Sequence, residues 1–281
     1  MINSHRFKIE VSDDISYDQV IDEGIFSEAF NLKLSKAFED KVNQAALRYR
    51  YLTHHEFESH VHSLFDYLFK NKVKAGSKRR KDWNEGWQQN LDEFVASNYS
   101  ASSLIPHYYR RGQNVMRFKG RFIMPENPMF ENKMRELVLI AFLEKYGIDS
   151  DTFYEFGCGS CHNILTLAQN SKDKLLFATD WVDSSVEILK CIEAKAKLLD
   201  VEGHQFKGKK FDFFRPDFSF KLEPGSVALT FGSLEQVGTD YKKLLEYFLS
   251  QSDVTFVHIE CFAELYHRKD LFSEMGYRYH Y

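Results

Sequence analysis

The sequence predicts an α/β protein: a doubly wound, mostly parallel sheet with helices on both faces in the C-terminal half, preceded by an N-terminal, mainly helical domain. Three observations predict it. After Gly147, short apolar runs alternate with helical segments, which implies right-handed crossovers and parallel strands. The first of those runs ends in a glycine-rich turn that leads into a helix. Before it, apolar residues recur at helical spacing with little strand patterning.

In chain order, 17–97 reads as helix. Phe26, Ala29, Phe30, Leu32, Leu34 and Ala37 open the apolar pattern, and Val42, Ala45, Ala46, Tyr49 and Leu52 continue it. A second helix carries Phe57, Val61, Leu64, Phe65, Leu68 and Phe69, and the polar stretch 71–77 with Gly76 stops it. A third covers 82–96. Residues 115–124 alternate around Lys119-Gly120 and predict a short hairpin. Pro125 and Pro128 then lead into a helix over 130–146. Strands follow at 152–156, 175–179, 210–214, 227–231 and 254–259, with helices at 163–169, 185–199 and 241–249. The expected domains are therefore 1–128, a helical acceptor-binding or lid region, and 129–281, the α/β domain.

Composition narrows the function classes. With 43% hydrophobic and 28% charged residues among 281, the chain has material for a sizeable core. A formal charge of −4 argues against a general nucleic-acid binder, which needs a net basic field. No uncharged apolar run approaches the roughly 18 residues of a membrane span, and the N-terminus lacks the pattern of a signal peptide. Cysteines 158, 161, 191 and 261 form no disulfide framework. The expected compartment is the cytoplasm.

In a doubly wound sheet, ligands bind beyond the carboxyl ends of the strands, where strand order reverses. The loop after the first strand reads Glu155-Phe156-Gly157-Cys158-Gly159-Ser160-Cys161-His162. Two glycines permit a tight turn and close backbone approach. A dinucleotide fingerprint would need a third glycine at 162, where His stands, and Glu155 would repel a pyrophosphate. The same carboxylate attracts an ammonium group. No G-K-[ST] follows, which excludes a phosphate-loop nucleoside triphosphatase.

Glu155-x-Gly157-x-Gly159 resembles the first motif, [DE]-x-G-x-G-x-G, of class I S-adenosylmethionine-dependent methyltransferases, with Cys161 standing where that family has its third glycine. The resemblance covers about 130–265 and implies a Rossmann-like domain that binds S-adenosylmethionine. It implies that Glu155, Gly157, Cys158 and Gly159 line the cofactor. Asp180, at the end of the second strand, would bind the ribose, and Trp181 would lie against adenine. Asp212, with Phe213 beside it, would meet the adenine amino group, Asp217 being the competitor. Phe231-Gly232-Ser233-Leu234-Glu235-Gln236-Val237 is similar to the family segment that borders the methyl-transfer site.

An oxygen acceptor needs a general base, for which Glu235 and Glu260 are the candidates. His258 is expected to be a core residue. Tyr108, Tyr109, Arg110 and Arg111 combine aromatic faces with positive charge, so a small-molecule acceptor, a carbohydrate or phosphorylated compound, is expected there. His54, Glu58 and His62 share one helix face, but a solvated face is the expected reading, and Cys158/Cys161 lack the second pair of a zinc site. No metal is expected.

Two rival readings differ in class. The basic run 70–81, followed by Trp83 and Trp87, would serve an RNA methyltransferase, although a solvated loop is expected. The chain would otherwise be a non-catalytic cofactor-binding partner subunit. Only a fragment of a sixth strand, at 277–281, is expected, which leaves 254–259 as an apolar edge. Either a longer natural chain or a partner, such as a second copy in a homo-oligomer, is expected to cover it.

Overall fold

The computed structural model describes residues 16–70, 76–110, 112, 114–147, 149–267 and 269–280. They form two compact units, each discontinuous in sequence. One comprises 76–106 and 142–262; the other comprises 16–70, 107–141 and 263–280. The two units do not part at a single boundary near 128/129. The helix over 80–96 belongs with the α/β sheet, and the stretch after 262 belongs with the N-terminal residues.

The second unit is not all helix. Strands β1 (Gln19–Ile21) and β2 (Leu47–Tyr51) flank helices α1 (Glu23–Phe30) and α2 (Lys36–Ala45). Helix α3 (His54–Lys70) follows. Strands β3 (Met116–Phe118) and β4 (Arg121–Pro125) form the expected hairpin, and the antiparallel order is β1-β2-β4-β3. Helical spacing across 42–52 misled because α2 stops at Ala46, whose left-handed backbone (φ 46°) caps it. Beyond that stop, Leu-Arg-Tyr-Arg-Tyr has the alternation of a strand.

Within this unit Arg50 and Glu56 are 2% and 4% exposed and form a two-pronged ion pair at 2.7 and 2.6 Å. Thr53 donates its N–H (2.8 Å) and hydroxyl (3.1 Å) to the same carboxylate. The guanidinium, more than the Thr53 donors, holds the Glu56 carboxyl below its ordinary range.

The first unit holds five parallel strands: β5 (Thr152–Phe156), β6 (Leu175–Asp180), β7 (Gln205–Lys210), β8 (Ser226–Phe231) and β9 (Val254–Ile259). Their spatial order is β7-β6-β5-β8-β9. The chain starts at the centre, runs out to β7, and returns across β5 to β8, so strand order reverses between β5 and β8. Every residue of β5 and β8 is buried, as expected for central strands with both faces covered. Helices α4 (Arg80–Ala96), α6 (His162–Gln169), α7 (Asp183–Ala194) and α8 (Lys242–Leu249) flank the sheet, and α5 (Phe130–Phe142) precedes β5. An aromatic core of Tyr154, Phe156, Phe211, Tyr247 and Phe248 packs with Leu244 and Ala228 between the sheet and α8.

The third strand lies five residues earlier than its expected start at 210. Phe211-Asp212-Phe213-Phe214 is apolar because Phe211 and Phe213 fill the aromatic core from a loop, while the true strand is a lysine-bearing edge, Gln-Phe-Lys-Gly-Lys-Lys. At the opposite edge β9 has β8 as its neighbour. In place of the strand expected at 277–281, residues 277–280 end helix α9 (Leu271–His280), and Tyr281 lies outside the described residues. Met275 of α9 packs with Leu64 and Phe122 in the second unit, and Arg117 stacks 3.9 Å from the Phe272 ring centroid. No described helix is long and apolar enough to cross a membrane.

Removing one partner of a buried ion pair strands the other charge. Arg50→Ala or Glu56→Ala is therefore expected to destabilise the protein by about 3–5 kcal/mol. The measurement is the shift of the denaturant midpoint; a loss under about 1 kcal/mol would show the pair to be dispensable. Because the Glu56 pKa is depressed, its stabilisation is present above the ordinary carboxylate range and is lost as pH falls through the lowered value.

Candidate functional site

The loop leaving β5 is built by its own backbone. Gly157 and Cys158 both donate N–H to the Thr179 carbonyl, at 2.8 and 3.0 Å, and Cys161 donates to Cys158 at 2.8 Å. Gly159 donates to the Asp180 carboxylate at 2.9 Å, and Val182 donates to its other oxygen at 3.2 Å. Asp180 thus ties the end of β6 to the loop after β5. The Trp181 N–H is a third backbone donor, so most of the carboxylate's acceptor capacity is already used.

Gly157 and Gly159 take φ of 77° and 53°. A Cβ at 157 would meet the Ser233 side chain at 2.6 Å, and one at 159 would meet the Trp87 ring at 2.7 Å. Both glycines are required by geometry and by space. Cys161 also has positive φ, 59°, a conformation that favours glycine. Its sulfur lies 3.7 Å from that of Cys158, and both cysteines are free and buried.

Two carboxylates flank this loop. Glu155 is 1% exposed and accepts from the Asn163 side chain at 2.7 Å. Asp180 is 5% exposed, and burial pushes its carboxyl up to about 6 against the backbone donors of Gly159, Val182 and Trp181. A raised pKa means that its favourable contribution to folding is present below about pH 4 and is lost as pH rises through about 6. Burial also pushes the Cys158 thiol well up, assisted by Cys161 and by the two acids.

The chemistry of these groups discriminates among ligands. N–H groups at 157, 158, 159 and 161 are engaged inside the protein, so they are not a phosphate cradle. Two buried acids make the local field negative. Such a site favours a cationic group over a pyrophosphate.

The rest of the unit supplies three further expected residues with partners. Trp181 faces the Arg80 guanidinium, 4.8 Å from ring centroid, and its ring lies 5.6 Å from that of Phe214. Asp212 accepts from Arg80 at 2.9 Å and from the Phe214 N–H at 2.9 Å. Phe213 packs against the aromatic core and comes within 3.4 Å of a Cβ placed at Gly157.

The two candidate bases follow β8 and β9. Glu235 accepts from Gln236 at 2.7 Å. Glu260 accepts from the Ser233 N–H at 3.1 Å, and burial pushes its carboxyl above the ordinary glutamate value, opposed by that donor. Ser233 also donates its hydroxyl to the Phe156 carbonyl at 2.9 Å, so one residue joins the ends of β5, β8 and β9. His258 is not a core residue: it is exposed on β9 with Nδ1 2.9 Å from the Thr230 hydroxyl.

Tyr108, Tyr109 and Arg110 belong to the second unit. Tyr109 is 8% exposed, packed edge-on against Tyr108 and 5.1 Å from the Arg135 guanidinium. Arg111, Lys72 and Lys74 lie outside the described residues. The rest of the basic run is only partly solvated. Arg79 lies over Trp83 (4.6 Å) and donates to Gln236, whereas Lys78 and Lys81 are exposed. His54 and Glu58 form an exposed i,i+4 pair at 3.2 Å, and no group of three metal-binding side chains occurs among the described residues.

Sequence reasoning missed Asn163, Ser233, Arg80 and Trp87. Asn163 and Ser233 sit within a few residues of recognised motifs and could have been flagged by position. Arg80 and Trp87 reach the site from more than sixty positions away, and only the pairing of a basic run with two tryptophans hinted at them. Compared with models of known protein families the chain matches none, and no curated protein matches it either.

The contact at Gly159 yields a direct test. Gly159→Ala adds a Cβ to a left-handed residue and drives it into Trp87, so a loss of about 1–3 kcal/mol of stability is expected in chemical denaturation. A neutral substitution would show that the loop and α4 are not in contact.

Proposed function

We propose that this chain is an S-adenosylmethionine-dependent methyltransferase. The observation that carries the reading is the pair of buried carboxylates, Glu155 and Asp180, on either side of a two-glycine loop at the reversal point of a parallel sheet. Glu155 would hold the cofactor's ammonium group, and the Asp180 carboxylate would bind the ribose. Trp181 would lie against the base and Asp212 would accept from its amino group. When bound, the cofactor supplies an activated methyl group.

What the protein adds is orientation and proton handling. Glu260 is the stronger candidate base for a hydroxyl acceptor. Burial raises its proton affinity towards the working pH, and the Ser233 N–H fixes one oxygen. Glu235, one turn after β8, is the second candidate. A small-molecule acceptor, a sugar for example, remains the proposed substrate. The RNA alternative is weakened because Arg79 and Arg80 already have partners inside the unit.

Calorimetric titration with S-adenosylmethionine and its demethylated product tests the reading. Micromolar affinity is expected for the native chain, with at least a roughly tenfold loss, about 1.4 kcal/mol, in Asp180→Ala. Undiminished binding in that variant would remove Asp180 from the ribose role.

The same titration has a predicted pH profile. A cationic ligand favours the charged form of Asp180, whose pKa burial sets near about 6. Binding should therefore release a proton at low pH, and affinity should climb as pH rises from 5 through 6 and level off above. A flat profile over that window would contradict a direct role for this carboxylate.

A further inference from the structure

The first turn of α4 places a third party on Trp181 and Asp212. The Arg80 guanidinium lies 4.8 Å from the Trp181 centroid and donates to Asp212 at 2.9 Å. A guanidinium is flat, presents a face for stacking and carries N–H donors in its plane. A nucleobase with an exocyclic amino group has the same two features. Arg80 and such a base therefore require the same indole face and the same carboxylate oxygen.

The helix end that carries Arg80 is weakly held by its own structure. No side chain caps it, and Arg79, Arg80 and Lys81, against the single first-turn acid Asp82, add positive charge to a terminus that the helix dipole already makes positive. A 3-10 turn at Ser77–Arg79 leads into it and Arg79 lies over Trp83; the restraints from elsewhere are Trp181, Asp212, and Gln236, which accepts from the Gly76 N–H at 2.8 Å and from Arg79. The body of α4 is anchored differently. Trp87, two turns on, is 8% exposed and lies against Gly159, and α4 also packs on α7. An anchored body with a loosely held first turn is the construction of a latch.

We infer that Arg80 is a resident competitor for the base-binding place: its side chain covers Trp181 and satisfies Asp212, and a nucleoside binds only once the first turn of α4 swings away. The inference rests on the reading of Trp181 and Asp212 as base contacts. Arg80 is 55% exposed, so its ion pair and its stacking contact are both weak ones, and the latch is easily opened.

All three tryptophans of the chain, Trp83, Trp87 and Trp181, lie on or beside this latch, so intrinsic fluorescence reports on it directly. The full-length chain and its Arg80→Ala variant are titrated with S-adenosylhomocysteine and with adenosine, following tryptophan emission at equilibrium and in stopped flow. Arg80→Ala is expected to bind both about fivefold more tightly, with faster association, and with an unchanged melting temperature because the residue is exposed. If the native chain binds but the variant binds equally or more weakly, Arg80 is not a competitor, and the cofactor reading survives. If neither protein binds either nucleoside, the cofactor reading fails and the latch falls with it.

Discussion

The α/β unit depends on one hydrogen bond more than on any other: the Gly159 N–H to the buried carboxylate of Asp180. It joins the ends of two adjacent parallel strands through a loop that has no side chain to spare for the purpose. Burying a carboxylate is unfavourable unless donors surround it, and here the donors are backbone amides fixed by the turn itself. The result is a charge that is held at the sheet's carboxyl edge but raised in proton affinity, ready to be stabilised by a positive ligand. Thr179 does the parallel task for the preceding residues, its carbonyl collecting two N–H groups and its hydroxyl donating back to Glu155.

Around that bond, the packing explains why each glycine is a glycine. Ser233 closes on Gly157 and Trp87 closes on Gly159. Both contacts bring in segments remote in sequence. The loop is consequently a junction of β5, β6, β8 and α4, and a change in any one of them is felt by the two acids. Glu260 takes part through Ser233, which links its carboxylate to the Phe156 carbonyl.

Much of this was legible in the residues themselves. Central strands declare themselves by unbroken apolar runs, and β5, β6, β8 and β9 lie where those runs are. The glycine loop and its flanking acids were readable because they sit at strand ends, where local order in sequence equals local order in space. Legibility failed where a hydrophobic run served a purpose other than its local one. Phe211 to Phe214 look like a strand but fill a core from a loop, and Leu47 to Tyr51 continue a helical period by accident after Ala46 has ended the helix. Arg80 and Trp87 failed for another reason: nothing in a local window says which distant surface a helix will cover.

The alternation of the two units along the chain has a consequence for synthesis. The β5–β9 sheet and α4 are complete once residue 262 has been made, whereas the other unit, begun at the N-terminal side, still awaits 263–280. Its early strands must therefore remain without Met275 and the Phe272 clasp on Arg117 while the ribosome translates the whole of the intervening sheet. Leu64, Phe122 and Arg117 acquire this part of their packing only after the whole sheet has been translated.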